Sequence, residues 1–236
     1  MKALILNSGL GHRMGDITKT HPKCMTQISE EDTILSRQLK LLSDSGITDV
    51  VMTTGYFDQI LMDYCYSLNL PLNYAFIKNP IYDKTNYIYS IYCARDILKD
   101  DDILLMHGDL VFDKRVMELS VNSKNSCMTV SSTLPLPEKD FKAVIEDDRI
   151  VKVGINCFEN AYEAQALYSL RKEDWLVWLD KIVEFCEAEN TGVYAENALN
   201  EISRKIHIYP LDVKDLLCAE IDNQEDLINV TSRLSQ

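Results

Sequence analysis

Short apolar runs alternate with helical patterns through the first half of the chain, and this alternation limits the folds that it can adopt. Runs rich in Ile, Leu and Val predict strands at residues 3–6, 49–53, 72–77 and 103–106. Between them, helical patterns predict helices at residues 33–44, 58–67 and 87–98. Helices between strands are typical of crossover connections in a parallel sheet. The first half therefore predicts an α/β fold with a mostly parallel central sheet and flanking helices.

The second half has the features of antiparallel strands. SCMTVSST (residues 126–133) predicts one strand, and FKAVIEDDRIVKVG (141–154) predicts a hairpin that turns at Asp147 and Asp148. Further strands are predicted at residues 163–170, 206–210 and 216–221, and further helices at 172–187, 196–203 and 223–234. The sequence contains no internal repeat, low-complexity tract or long linker. We therefore expect a single domain of residues 1–236 with a mixed sheet and a small antiparallel hairpin and helical insertion.

The net charge of −13 over 236 residues disfavours partners that are polyanions. Nucleic acid or an anionic membrane would be repelled unless the basic residues were strongly clustered. The seven cysteines are scattered and include no CxxC pair, which argues against a disulfide framework and a zinc site. The run MKALILN is too short for a signal peptide, and no run is long enough to span a bilayer. We expect a cytoplasmic protein without nucleic-acid or membrane partners.

A long loop with closely spaced glycines, Gly9, Gly11 and Gly15, follows the first predicted strand. In a dinucleotide fold the glycine turn leads straight into a helix, but here Pro22 and turn-forming residues delay the first helical pattern. The strand that ends at Thr54 also lacks the acidic residue expected for a ribose. The loop therefore disfavours a dinucleotide site.

The charges of this loop indicate a different anion. It contains the cations Arg13, Lys19 and Lys23 and the single anion Asp16, a local net charge of +2 in an acidic chain. Glycine lets backbone N–H groups approach phosphate oxygens without a Cβ in the way. The loop therefore suits a triphosphate, although a mobile turn with ordinary lysines would contain the same residues.

The sequence LNSGLGHRMGDITKTHPKCM, residues 6–25, resembles the signature of the nucleoside triphosphate transferase superfamily. In that signature a G-x-G-x-R loop that ends in Pro-Lys follows the first strand. The residues that match it are Gly9, Gly11, Arg13, Pro22 and Lys23, and Asn7 and Ser8 stand where the family usually has small residues. The resemblance implies a Rossmann-like nucleotidyltransferase fold, with the nucleotide bound by Asn7, Ser8, Gly9 and Gly11.

Members of this family hold Mg²⁺ between two aspartates, and the resemblance assigns them to Asp109 in ILLMHGD and Asp222 in LLCAEID. Both directly follow predicted strands, and the carboxyl ends of parallel strands line the ligand crevice of α/β sheets. Hard carboxylates without a His/Cys cluster at ligand spacing favour Mg²⁺ over zinc. An alternative role for Asp222 is a capping box with Glu225 at the start of the last helix.

The resemblance also implies a reaction, in which an acceptor oxyanion attacks the α-phosphorus of a nucleoside triphosphate and pyrophosphate leaves. Such chemistry needs positioning and charge neutralisation more than a covalent nucleophile. We expect Arg13 to act on the β- and γ-phosphates, and Lys23 on the α-phosphate and the attacking oxygen. An acceptor that is already a phosphate or phosphonate needs no general base.

The sequence DKTNYIYSIYCA, residues 83–94, bears on the choice of acceptor. Sugar-1-phosphate members usually carry a G-T-A-x-A-like segment there. Asn86 and Ser90 with bulky aromatic neighbours are instead similar to phosphocholine and phosphonate cytidylyltransferases. The resemblance favours CTP and a small phospho-acceptor, with Asn86 and Ser90 near the base and ribose. Asn86 could instead simply cap the helix.

A cationic acceptor head group would be bound by aromatic faces and carboxylates. We expect Tyr194 and Glu196 to contact the acceptor. Lys142 and Lys152 of the hairpin are further candidates, for the acceptor phosphate. The two tryptophans, three residues apart, are expected on an apolar helix face.

The sequence therefore predicts a Mg²⁺-dependent cytidylyltransferase that transfers CMP from CTP to a phosphocholine-like or aminoethylphosphonate-like acceptor, for surface glycans or lipids. Two alternatives stay open: a sugar-1-phosphate uridylyl- or thymidylyltransferase, and a catalytically silent nucleotide-binding regulatory protein. We expect the nucleotide core at residues 1–115 and 204–236 and the acceptor-binding part at residues 116–203. A homodimer is left open.

Overall fold

The main structural element is a mixed β-sheet. The computed structural model describes residues 1–9 and 11–235. The strands in these residues are β1 (Lys2–Leu6), β2 (Asp49–Thr54), β3 (Asn73–Lys78), β4 (Ile103–His107), β5 (Leu110–Phe112), β6 (Cys127–Ser131), β7 (Lys142–Glu146), β8 (Arg149–Gly154), β9 (Ala161–Leu170), β10 (Tyr209–Asp212) and β11 (Cys218–Glu220). Nine of them form one sheet, and β5 and β11 pair in a separate antiparallel sheet.

The large sheet has the strand order β10-β6-β9-β4-β1-β2-β3. Strand β1 runs parallel to β2 and β4, and β2 runs parallel to β3. Strand β9 lies antiparallel between β4 and β6, and the β7–β8 hairpin pairs with β9 through β7. The hairpin turns at Asp147 and Asp148, whose φ angles of 49° and 58° suit a tight hairpin turn. The predicted α/β class, mixed sheet and antiparallel hairpin are confirmed.

Helices cover both faces of the sheet. They are α1 (Ile34–Asp44), α2 (Asp58–Ser67), α3 (Tyr87–Ala94), α4 (Lys114–Asn122), α5 (Lys172–Glu187), α6 (Ala195–Ile202) and α7 (Gln224–Leu234). Side chains of β1 alternate between the faces: Leu4 and Leu6 pack in the core with α3, α5 and α6, and Ala3 and Ile5 in the core with α1, α2 and α4. Because both faces are buried, the ligand crevice of this sheet is expected at the carboxyl ends of its parallel strands.

Several boundaries differ from the sequence prediction. Strand β5 and helix α4 were not predicted, and α3 ends at Ala94 with a 3-10 turn at Arg95–Ile97 rather than continuing to residue 98. The strand predicted at residues 206–210 lies at Tyr209–Asp212. Ile206 and Ile208 are buried as a strand would require, but they precede the pairing with β6, and the carbonyl of Ile208 accepts a hydrogen bond from the Ile150 N–H. Ile206 and Ile208 are therefore apolar because they pack in the core, and not because they belong to a paired strand.

The tryptophans and cysteines take structural roles. Trp175 and Trp178 are fully buried, and their indole N–H groups donate to the carbonyls of Leu98 and Ala195, which confirms the apolar helix face. All seven cysteines are free thiols, and all except Cys93 are buried. Among the residues described, none of the helices has the length and apolar character needed to cross a bilayer.

Candidate active site

The glycine loop folds back on itself at the carboxyl end of β1. Gly11 and Gly15 have φ angles of 66° and 61°, a region that favours glycine. A Cβ on Gly11 would lie 3.1 Å from the Cβ of Lys23, so the two ends of the loop are in close contact. The loop contains short 3-10 turns at His12–Thr18 and Lys23–Met25, which the sequence did not predict, and the first α-helix begins only at Ile34. This geometry brings Lys23 back beside the start of the loop.

Lys23 lies between the two predicted metal ligands. Its Nζ atom is 2.5 Å from Asp109 Oδ2 and 2.6 Å from Asp222 Oδ1. Arg13 contacts Asp222 through both terminal nitrogens, each at 2.9 Å from a carboxylate oxygen. The Lys23 side chain is only 13% exposed, whereas that of Arg13 is 73% exposed. The structure therefore brings together all four residues that the resemblance assigned to catalysis and metal binding.

The cluster of opposite charges shifts the pKa values of Lys23 and Asp109. Burial alone would lower the pKa of Lys23, but the carboxylates of Asp109 and Asp222 outweigh it and the pKa is raised. Burial alone would raise the pKa of Asp109, but Lys23 and His107 outweigh it and the pKa is lowered. The Lys23 ammonium and the Asp109 carboxylate are therefore both charged at neutral pH, and this carboxylate is suited to bind a cation.

Asp109 and Asp222 meet for a reason that the sequence analysis did not identify. Asp222 was expected after a strand of the parallel sheet, but β11 pairs antiparallel with β5, with Glu220 opposite Leu110. The Ile221 N–H donates to the Asp109 carbonyl at 3.0 Å, which ties the two segments together. The small antiparallel sheet therefore sets the distance between the two aspartates.

The alternative capping role of Asp222 is not found. Asn223 is the N-cap of α7, and its side chain accepts hydrogen bonds from the N–H groups of Glu225 and Asp226. The reciprocal partner in this capping box is Asp226, whose carboxylate accepts from the N–H groups of Asp222 and Asn223. The Asp222 carboxylate is therefore left for Lys23 and Arg13.

A divalent cation fits this site. Lys23 places one positive charge against an oxygen of each aspartate, so both carboxylates face a common point. The second oxygen of Asp109, Oδ1, is buried without a hydrogen-bond partner among the described residues. Both aspartates offer the hard oxygen donors that Mg²⁺ prefers. The donor set is therefore consistent with Mg²⁺ at Asp109 and Asp222.

One histidine lies close to these carboxylates, although the sequence shows no His/Cys cluster at ligand spacing. Potential ligand atoms of His107, Asp109 and Glu220 all lie within 4.8 Å of one another, although Glu220 is far from the other two in sequence. His107 Nδ1 lies 2.7 Å from Glu220 Oε1. Burial alone would lower the pKa of His107, but Glu220 raises it to about 9. His107 is therefore a second cation beside Asp109, at a position that sequence spacing could not reveal.

Gly108 allows the close contact between the ends of β1 and β4. A Cβ at this position would lie 1.7 Å from Asn7 Oδ1 and 2.9 Å from the Leu6 carbonyl oxygen. The Gly108 N–H also donates to that carbonyl at 3.1 Å. Gly108 is therefore required by packing. Its close contact with the end of β1 sets the position of the backbone that leads into Asp109.

We expect Gly108→Ala to lower the free energy of unfolding by about 1 to 3 kcal/mol, the usual cost of overpacking. Urea denaturation followed by circular dichroism measures this change. The matched control is Gly192→Ala, where a Cβ would have no heavy atom within 4 Å. Equal stability of the two variants would contradict the packing argument.

Three cavities surround Asp109. The β3–α3 cavity, about 460 Å³, is lined by Ser8, Gly9, Asn79, Asn86, Ser90 and Asp109 among others. The loop cavity, about 340 Å³, is lined by Asn7, Gly9, Gly11, Arg13, Lys23, Asp109 and Asp222. The hairpin cavity, about 340 Å³, is lined by Tyr87, Asp109, Asp140, Phe141, Tyr194, Glu220 and Asp222. Every residue predicted for nucleotide binding therefore lines a cavity that Asp109 also lines.

The β3–α3 cavity depends on a buried residue that the sequence analysis missed. Asn79 Nδ2 donates to Thr85 Oγ1 and Ser90 Oγ, each at 3.0 Å, and Asn79 Oδ1 accepts from the Ile81 N–H. Asn86 caps α3 by accepting from the Tyr87 N–H, and it lines the cavity as well. The available signal for Asn79 was the Asn-Pro pair directly after a strand, which is typical of a turn.

The two predicted acceptor residues lie in different environments. Tyr194 is 38% exposed and lines the hairpin cavity, with its ring 5.8 Å from that of Tyr87. Glu196 is buried, and its carboxylate accepts hydrogen bonds from the hydroxyls of Tyr87 and Tyr168. Tyr194 is therefore available to a ligand in this cavity, whereas Glu196 lies behind Tyr87 and supports it.

Lys142, a sequence candidate for the acceptor phosphate, is instead a structural residue. It is fully buried, and its ammonium donates to the carbonyls of Pro137 and Asp140. It also lies over the ring of Phe158, 4.4 Å from the centroid. Lys142 therefore holds the segment that carries the Asp140 and Phe141 walls of the hairpin cavity.

Comparisons with known proteins agree with this geometry. Residues 3–130 match the family described as the MobA-like NTP transferase domain. The chain is 26% identical over 211 residues to a CTP:phosphoglutamine cytidylyltransferase of Campylobacter jejuni, covering 84% of this chain and 82% of that protein. It is 29% identical over 233 residues to a choline-phosphate cytidylyltransferase of Streptococcus pneumoniae, covering 96% and 95%.

Solved structures share the fold along the whole chain. The CTP:phosphocholine cytidylyltransferase from Streptococcus pneumoniae superposes with a TM-score of 0.78 at 18% identity, covering 99% of this chain and 98% of that one. The inositol-1-phosphate CTP transferase from T. maritima gives a TM-score of 0.79 at 18% identity, covering 100% and 96%. Since the family match spans more than half of the residues, the chain belongs to the MobA-like NTP transferases, a family of nucleotidyltransferases.

Proposed function

We propose that this protein is a cytidylyltransferase that transfers CMP from CTP to a small phosphorylated or phosphonate acceptor, phosphocholine-like or aminoethylphosphonate-like, with release of pyrophosphate. The observation that carries the proposal is the meeting of three cavities at the Asp109 carboxylate. Their linings suit a nucleoside, a chain of phosphates and a cationic acceptor. Relatives named as CTP-using enzymes support the choice of nucleotide.

Mg²⁺ is the proposed cofactor, held by Asp109 and Asp222. When bound, it supplies neutralisation of phosphate charge and polarises the phosphoryl oxygens. The neighbouring Glu220 adds a third carboxyl group, and burial and the charge of Asp109 raise its pKa because they disfavour its charged form. This excess of carboxylates supports a divalent cation in addition to the positive residues of the chain.

Arg13 and Lys23 are the proposed catalytic residues. Both line the loop cavity together with the backbone of Gly9 and Gly11, where N–H groups can approach phosphate oxygens. Lys23 stabilises the charge that develops on the α-phosphate and the attacking oxygen, and Arg13 the charge on the leaving pyrophosphate. The high exposure of Arg13 leaves its guanidinium accessible to an entering triphosphate.

The β3–α3 cavity is the proposed site of the cytosine and ribose. Its polar lining includes Ser8, Asn86 and Ser90. The Ser8 hydroxyl and the Nδ2 of neighbouring Asn7 are buried without hydrogen-bond partners among the residues described, so they are available to a ligand. These groups support recognition of the nucleotide by hydrogen bonds.

The hairpin cavity is the proposed acceptor site. The rings of Phe141 and Tyr194 meet edge to face at 5.1 Å, and Tyr87 lies on the other side of Tyr194. Asp140 and Glu220 add carboxylates to the same lining. Aromatic faces with carboxylates bind ammonium groups, which favours an acceptor with a cationic head. Residues 116–203 supply five of the twelve residues that line this cavity, including Phe141 and Tyr194, and we propose them as the acceptor-binding part.

Pyrophosphate release tests the proposed function. Purified protein with Mg²⁺ is assayed against four nucleoside triphosphates, each combined with phosphocholine, phosphoethanolamine, 2-aminoethylphosphonate and glucose-1-phosphate. We expect the highest kcat/KM with CTP and an amine-bearing acceptor. Preference for UTP or dTTP with the sugar phosphate would overturn the acceptor assignment. Nucleotide binding without turnover on any acceptor would support a silent regulatory protein.

Asn79→Ala tests the organisation of the nucleotide cavity. The variant loses the hydrogen bonds to Thr85, Ser90 and Ile81, so we expect a loss of roughly 2 kcal/mol in the free energy of unfolding. We also expect the KM for CTP to rise about tenfold, because the loop must be ordered on binding. The KM for the acceptor should change little. Exposed Asn125→Ala is the control, and an unchanged KM for CTP would contradict this role.

A further inference from the structure

We propose that the acceptor carries a carboxylate in addition to its phosphate and ammonium groups, and that Lys152 binds this carboxylate in a second compartment of the acceptor site. The inference rests on the proposed function. Among the amine-bearing phosphates and phosphonates of that function, it identifies an analogue of an amino acid as the preferred acceptor.

The second compartment is an outer cavity of about 280 Å³ that adjoins the hairpin cavity. The two cavities share Phe141, Ile155 and Tyr194 in their linings. Tyr194 is 38% exposed, and its ring makes an edge-to-face contact with Phe141 at this shared wall. In this proposal the acceptor reaches across the shared wall of Phe141 and Tyr194, from the hairpin cavity into the outer cavity.

Two polar side chains of the outer cavity are already engaged. Glu196 accepts hydrogen bonds from the hydroxyls of Tyr87 and Tyr168. Asn200 uses both ends of its amide on the backbone of Val153, with its Oδ1 accepting from the N–H and its Nδ2 donating to the carbonyl, each at 2.8 Å. Neither side chain is therefore the primary group for a ligand.

The remaining polar groups favour an anion. Lys152, Asn156 and Asn197 line the cavity, and within residues 1–9 and 11–235 their side chains make no hydrogen bond or ion pair. An ammonium with two amide groups can donate several hydrogen bonds to one carboxylate. The hairpin cavity contains charges of both signs, since Arg13, His107 and Lys139 line it together with Asp109, Asp140, Glu220 and Asp222. Because Arg13 is paired with Asp222 and His107 with Glu220, Asp140 is the carboxylate that is left for an ammonium. The order of charges therefore matches phosphate, ammonium and then carboxylate.

Matched acceptors test this inference. Phosphoserine differs from phosphoethanolamine only by a carboxylate, and phosphohomoserine differs from 3-aminopropyl phosphate in the same way. We expect kcat/KM with CTP to be about fivefold higher for the carboxylate-bearing member of at least the longer pair, as suits a partly exposed ion pair. Lys152→Gln should remove this preference, because it should raise the KM of the carboxylate-bearing member by a larger factor than that of its simple amine partner. Exposed Lys114→Gln, with the same charge change on α4, should keep the preference.

Calorimetric binding of the same pairs in the presence of Mg²⁺ and a non-hydrolysable CTP analogue separates the two proposals. Equal affinity for both members of each pair, or an equal effect of Lys152→Gln on both members, would overturn the carboxylate inference. A carboxylate preference in binding that depends on Lys152, without pyrophosphate release from any combination, would support the inference and overturn the proposed function.

Discussion

Lys23→Met is expected to reduce CTP-dependent pyrophosphate release by about 10²- to 10³-fold, the usual cost of removing one group that stabilises developing charge in an active site. Methionine keeps most of the length and apolar surface of lysine, so the substitution removes the charge with little change in packing. Because Lys23 acts on the transition state in this proposal, the loss should appear mainly in kcat.

The same variant has a second expected effect, in the absence of metal. In the wild type, the ammonium of Lys23 offsets the charges of Asp109 and Asp222, whose side chains are 22% and 14% exposed. Removing it leaves Asp109 without its ion-pair partner and Asp222 with Arg13 alone, and we expect the free energy of unfolding in EDTA to fall by roughly 3 kcal/mol. In the proposed site Mg²⁺ would compete with the ammonium for the same oxygens, so added Mg²⁺ should stabilise Lys23→Met more than the wild type.

The control for both effects is Lys19→Met, in the same loop. Lys19 is 70% exposed and pairs only with Asp16 among the described residues, so its loss should change stability by less than about 1 kcal/mol. Wild-type turnover in Lys23→Met would contradict the catalytic role. An equal Mg²⁺ response in Lys23→Met and wild type would contradict competition between the ammonium and the metal.

Asp109→Asn is expected to reduce turnover by about 10³-fold or more, because several kcal/mol of charge stabilisation depend on the metal site. Asn has nearly the same shape, so the fold should be retained. Asp109 lines all three cavities, so the loss of its charge is expected to affect every part of the site. Binding of Mn²⁺, followed by electron paramagnetic resonance, should weaken strongly in the variant.

Asp101→Asn provides the matched control, since this partly exposed aspartate pairs with Lys2 away from the cavities. It should bind Mn²⁺ and turn over substrate like the wild type. Retained Mn²⁺ affinity in Asp109→Asn would show that the cation is held elsewhere and would contradict the assignment of this aspartate.

The glycine loop was predictable because its function depends on local chemistry. Gly11 and Gly15 adopt backbone conformations that other residues disfavour, and Arg13 and Lys23 supply charge within one short segment. Such a pattern of glycines and cations can be recognised in a sequence, since few other residues can adopt these backbone conformations or supply these charges. The 3-10 turns within the loop were missed, because such short turns leave no apolar periodicity.

Residues that act together across the sheet were harder to predict. His107 and Glu220 are 113 positions apart, and they meet only because β4 ends where the β5–β11 pair begins. Glu196, predicted as an acceptor residue, lines the outer cavity, and its carboxylate accepts hydrogen bonds from the hydroxyls of Tyr87 and Tyr168, which the sequence did not indicate. Sequence patterns indicate which residue types an element contains. They do not indicate whether a given side chain faces the cavity or packs behind its wall.

The amino-acid sequence by itself determined the α/β class, the charged glycine loop and the two aspartates that follow short strands, because each depends on local periodicity or on a few adjacent residues. Only the tertiary structure decided that β11 brings Asp222 to Lys23 and Asp109, that Asn79 orders the neighbouring cavity, and that Lys152 lies beyond Tyr194. These relations depend on strand pairing and on packing between distant segments, which the local pattern of a chain does not specify.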